Sequence, residues 1–141
     1  MIDFPAKALP ISKWRAYKGV FPTDAAGSHR IIIIQNSDPL RYFYVTSQVE
    51  NCKRVNRYDL ESIAELEVCE WDCLTSKSCV QCDKSHLCEI TEQELRERYG
   101  NGRLKVLGEV PEAVRQKILA AIEASKTYSE REKLILMQDR T

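Results

Sequence analysis

His29 and Arg30 stand side by side where one apolar run begins, and Thr46, Ser47 and Gln48 stand where the next one ends. An imidazole titrates near neutral pH, a guanidinium forks onto phosphate, and hydroxyls donate to phosphate oxygens. Brought to one place, such groups would form a site for a phosphate. The plainer alternative is a pair of solvated strand ends beside a turn.

These residues meet only if the intervening chain forms a hairpin. Residues 31–34 are all isoleucine, which favours a strand buried on both sides over a helix that would restrict their rotamers. Gln35, Asn36, Ser37, Asp38 and Pro39 read as a turn, and residues 41–47 resume with strand formers. If a six-residue loop joins the strands, Ile34 lies opposite Arg41 and His29 opposite Thr46. A register one residue different pairs His29 with Ser47 and Arg30 with Thr46. Adjacent strand residues point to opposite faces, so Arg30 joins His29 only if the strand is irregular at its first residue.

Around the hairpin, residues 1–28 carry three of the five prolines and read as loops with strand fragments. Leu66 and Val68 alternate with Glu65 and Glu67 as a half-exposed strand, and residues 78–84 read as another. Beyond residue 90 the pattern changes. Thr91 and Glu94 form a capping-box signature opening a helix that stops near Gly100, Asn101 and Gly102. Leu104, Val106 and Val110 suit an extended piece before Pro111, a good first residue for a helix. Val114, Ile118, Leu119 and Ile122 recur at helical spacing, predicting an amphipathic helix over residues 112–126. Ser129 and Glu132 open a last helix over residues 130–138 by the same capping logic.

A chain of 141 residues suits a single domain able to bury roughly two-thirds of its unfolded surface. No apolar run approaches bilayer length, and the first residues lack the basic tip and apolar stretch of a secretory signal, so no membrane role and a cytoplasmic location are expected. Twenty-one basic residues balance twenty-one acidic ones, so a polyanion must be met by a local patch. Of the six cysteines, Cys69, Cys73, Cys79 and Cys82 invite a zinc reading. Against it, Cys79 and Cys82 on one strand point to opposite faces, which favours small buried hydrophobes. His86 reads as a solvated turn residue, and Trp14, Trp71, Tyr42, Phe43 and Tyr44 as core before base-stacking platforms.

In order, residues 31–36, Thr46-Ser47-Gln48, residues 78–84 and the lysine-and-glycine lead of residues 105–119 resemble the MazF/PemK (Kid) family of toxin endoribonucleases. The likeness spans roughly residues 27–125. It implies an α+β fold, a small SH3-like antiparallel β-barrel with C-terminal helices. It further implies a homodimer that cleaves single-stranded RNA without metal or cofactor, neutralised by an antitoxin whose tail covers the active groove. Gyrase-poisoning toxins share that fold, so fold alone does not fix the target. Thr46 falls on the family's catalytic threonine, or Ser47 does if the register slips. Two departures stand out. Only Lys18-Gly19-Val20-Phe21 answers the family's opening Gly-Asp strand, and His29 stands where the family has its catalytic arginine, with Arg30 in place of the following proline. The resulting assignment is His29 as acid and base, Thr46 and Ser47 as hydroxyl donors, and Arg30 and Gln48 as phosphate contacts. The alternative is a catalytically silent barrel that binds RNA or a protein partner, or a small zinc-binding module.

Overall fold

In the computed structural model, which describes Pro5, residues 8–21 and residues 29–138, Ile31, Ile32, Ile33 and Ile34 are all fully buried. A strand closed to solvent on both faces needs a neighbour on each edge and a layer on each side. The fold supplies all four. The strand is β2 (His29–Gln35), flanked by β1 (Arg15–Gly19) and β3 (Leu40–Thr46). The sheet continues through β5 (Ser78–Gln81) to β4 (Ile63–Leu66) beyond β3, and to β7 (Leu104–Glu109) beyond β1. The short β6 (Cys88–Ile90) shares the outer edge of β3 with β5. Every pairing is antiparallel, giving a seven-stranded α+β sheet. Among the described residues no ladder joins β4 to β7, so the sheet is open where a closed barrel is expected from the family likeness.

Alternation along the strands sorts the apolar side chains into two cores. Ile32, Ile34, Phe43, Val45 and Val80 face α3 (Glu112–Ala124) and α4 (Glu130–Leu136), which contribute Val114, Ile118, Ile122 and Leu136. Ile31, Ile33, Tyr17 and Tyr42 face the other way, onto Leu9, Phe21 and Leu95 of α2 (Glu92–Gly100). Each fully buried isoleucine is worth about 1.5–3 kcal/mol over an exposed one, so both layers are needed. The caps follow the sequence. Thr91 accepts from the Glu94 N–H at 3.1 Å, and Ser129 and Glu132 cap reciprocally at 3.1 and 2.8 Å. Pro111 flanks α3 rather than opening it, a shift of one residue. The buried Lys13 amine donates to the carbonyls of Leu136 and Gln138, the latter at 2.6 Å, and so caps the last helix from the other end of the chain.

Three elements differ from the sequence reading. Val68 lies in a 3-10 turn, because Glu67 and Glu70 cap that turn in place of a longer strand. The strand expected over residues 78–84 ends at Gln81, after which Asp83 gathers side-chain bonds. A short helix, α1 (Val49–Val55), follows β3, and it buries only Val49 and Cys52, too few for a periodic signal. The loop expectation for residues 22–28 lies outside the described residues, as do those for the first four residues and residues 6–7.

From Arg30 opposite Val45 to Ile33 opposite Tyr42, the hairpin holds the register that sets His29 against Thr46. A bulge near the turn puts Gln35 opposite Arg41, so the one-residue slip is confined to the end away from His29. On the other edge Gly19 pairs with His29 and with Leu104. A side-chain carbon at Gly19 would collide with the Arg103 carbonyl, so glycine here permits β7 to close on β1. Gly19→Ala should destabilise the protein by about 1–3 kcal/mol, read as a lower urea midpoint. An unchanged midpoint would show that β7 can yield at no cost.

Candidate functional site

β2 starts, β3 ends and β5 starts at the same end of the sheet. A cleft of about 250 Å³ opens there, lined by His29, Arg30, Thr46, Ser47 and Gln48. All five residues singled out for phosphate chemistry therefore share one cavity wall. Thr75 and Ser76 from the loop before β5, Ser78 at the start of β5, and Val45 complete it. The signal for the three hydroxyls was the run Leu74-Thr75-Ser76-Lys77-Ser78, dense in hydroxyls where a strand begins. Among the described residues no carboxylate lines the cleft, so a guanidinium, an imidazole and hydroxyls give it the chemistry of an anion site. A wider depression of about 830 Å³ beside α2 carries Asp38, Glu92 and Glu97, and suits an anion poorly.

Strand geometry divides the imidazole from the guanidinium. The pairings Gly19 with His29 and Lys18 with Arg30 show β2 to be regular at its first residues. His29 sets its ring edge-on to Tyr44, with centroids 5.7 Å apart, on the α2 side of the sheet. Arg30 faces the α3 side, where its guanidinium interacts with the Cys73 thiol. Burial raises the Cys73 pKa, and the Arg30 charge opposes that rise. The two residues thus reach the cleft from opposite sides of one strand, and the irregularity that would unite them lies at the far end. The Nε of Arg30 is buried without a hydrogen-bond partner.

The hydroxyls are partly committed. Thr46 Oγ1 accepts from the Gln48 N–H at 3.1 Å, which leaves its own hydrogen to donate. Ser78 donates to the Ser76 carbonyl at 3.0 Å. Ser47 is exposed, and Gln48 precedes α1 without a side-chain cap bond. Trp14, Trp71, Tyr42 and Phe43 are buried in the two cores.

The cysteines lie apart. Cys69 is exposed and Cys73 half-buried, Cys79 packs with Val49 and Cys52, and Cys82 belongs to the core beneath α3. Burial pushes the Cys79 thiol up to about 12 and holds the Cys82 thiol well above its ordinary range, so both are neutral thiols. Among the described residues no group of three or more His, Cys, Asp or Glu side chains is placed to hold a metal ion.

His86, expected as a solvated turn residue, instead partners a buried carboxylate. Asp83 is 4% exposed; its Oδ1 accepts from Asn56 at 3.0 Å and lies 2.7 Å from His86 Nδ1, and its Oδ2 accepts from Ser85. The spacing of three residues on a 3-10 turn brings the imidazole back over the carboxylate. Lys84 N–H donates to Thr127 at 2.8 Å and Tyr128 to the Cys82 carbonyl at 2.7 Å, so this turn ties β5 to the segment between α3 and α4. It is a structural hub, outside the cleft.

No protein-family model matches the chain, and no curated protein matches it.

Burial would raise the Asp83 pKa, but the bonds from His86, Ser85 and Asn56 and the His86 charge outweigh it and hold the carboxyl at about 2. A folded pKa below the unfolded 3.8 contributes stability above about pH 4 that is lost as pH falls toward 2. The difference is about 2 kcal/mol. Asp83→Asn should lower the urea midpoint at neutral pH and flatten its decline between pH 4 and 2. A decline as steep as that of the unaltered protein would remove Asp83 from the acid response.

Proposed function

We propose that this protein binds single-stranded RNA in the cleft at the end of the sheet and cleaves it through the 2′-hydroxyl, without a metal ion. The observation that carries this reading is the convergence of His29, Arg30, Thr46, Ser47 and Gln48 on one wall free of carboxylates among the described residues. His29 serves as the acid and base. Thr46 and Ser47 donate to the phosphate, the Thr46 hydroxyl being turned outward by its bond from Gln48. Arg30 supplies long-range positive charge across β2, and Gln48 contacts the backbone.

The likeness to the MazF/PemK family extends the reading to a toxin of a toxin–antitoxin pair acting in the cytoplasm as a homodimer. Its antitoxin would occupy the same cleft, and its sheet would be an opened form of the SH3-like barrel. A second reading, RNA binding without cleavage, is favoured by one contact. Arg30 turns to Cys73, on the opposite side of the strand from His29.

Incubation with an end-labelled single-stranded RNA separates the two. Cleavage should leave 2′,3′-cyclic phosphate ends, spare the all-deoxy strand, survive chelators and fall about 10²- to 10⁴-fold in His29→Ala. Intact RNA bound by the protein would establish the second reading, and undiminished cutting by His29→Ala would exclude the assigned role.

A further inference from the structure

We propose that the exposed strip running from the cleft along α1 to Tyr58 is a track for single-stranded RNA. Tyr58 is its base-stacking platform, and Arg54 and Arg57 are its phosphate contacts. The inference rests on the reading of the cleft as an RNA site and extends it to residues outside the cavity.

Ser47, Asn51, Arg54 and Tyr58 are exposed and follow one another at intervals of three or four residues. Asn51 and Arg54, three residues apart on α1, share one face of that helix, with Ser47 just before the helix and Tyr58 just after it. The strip begins in the cleft wall at Ser47 and leaves it along α1, whose seven residues span roughly 10 Å. A few nucleotides of extended strand bridge that distance.

Charge along this strip is positive and available. Lys53 is engaged by Glu65 at 3.1 Å and by Glu50 at 3.9 Å. Arg54 is oriented by Asn51 Oδ1 at 2.6 Å, a neutral partner that leaves its charge uncompensated. Neither Arg54 nor Arg57 forms a salt bridge among the described residues. In a chain of zero net charge, two such guanidinium groups beside an anion cleft make the local patch that a polyanion requires.

The aromatic group adds the second element of a single-strand site. Tyr58 is 79% exposed, the most exposed large apolar side chain among the described residues, so core packing does not account for it. The Arg57 guanidinium lies 4.9 Å from its ring centroid, which covers one face and leaves the ring oriented. A base can stack on the open face, with sequence tolerance because every base has a π-surface. The neighbouring Val55 and Leu60, 59% and 51% exposed, provide an apolar rim.

The test uses fluorescently labelled 2′-O-methyl oligouridylates, which cannot be cut, four and twelve nucleotides long, with binding read by anisotropy. The twelve-nucleotide strand should bind more tightly than the four-nucleotide one. Tyr58→Ala should weaken the longer strand about tenfold and leave the shorter one unchanged. Arg54→Gln with Arg57→Gln should reduce the slope of log affinity against log salt by about 1.4 for the longer strand. If the longer strand binds these variants as it binds the unaltered protein, the track is overturned and the cleft stands. Equal weakening of both strands by Tyr58→Ala also overturns it, since the residue would then act through the cleft. If the unaltered protein binds neither strand, both readings fall.

Discussion

The fold depends on keeping β2 dry on both faces. Four consecutive isoleucines cannot be hidden by one layer, because successive side chains alternate across the sheet. Ile32 and Ile34 require α3 and α4, and Ile31 and Ile33 require α2 with the segment around Leu9. Those covers come from both ends of the chain, and Lys13 joins them by capping the last helix from the N-terminal side. Open or closed, the sheet is therefore shaped by what must lie over its centre.

That same alternation governs the cleft. Where β2 begins, the covering layers stop and polar groups emerge. Strand geometry sends His29 toward Tyr44 and Arg30 toward Cys73, so one strand brings an imidazole and a guanidinium to one cavity from opposite sides. The regular pairing with β1 removes the freedom that would bring the two together. The chemistry of the site is thus weighted toward His29 and the hydroxyls of β3 and of the loop before β5, with Arg30 as background charge. The α1 strip lies just outside this balance, where, among the described residues, Arg54 and Arg57 form no salt bridge.

A second constraint is the buried Asp83. A carboxylate at that depth is tolerated only with its lone pairs occupied, and Asn56, Ser85 and His86 occupy them. Satisfying it pulls the chain out of β5 after Gln81 and orders the turn that receives Thr127 and Tyr128. The protein's second histidine is consumed in this role, leaving His29 as the one histidine in the cleft.

The hairpin, the hydroxyl cluster at its end, the capped helices and the amphipathic stripe of α3 were all legible from local pattern. Each is decided by neighbours in the chain: β-branched runs, turn formers, cap spacing and a period of three to four. The hairpin register could be narrowed to two, and the turn-end bulge shows why both had a claim, since each holds over part of the ladder. What no local pattern contains is which distant segments meet. Whether the sheet closes, that Thr75, Ser76 and Ser78 join the cleft, that Cys73 draws Arg30 away from His29, and that His86 serves Asp83 were decided by tertiary packing. Burial and pairing of those groups depend on partners far along the sequence, and their free energy exists only once the layers have assembled.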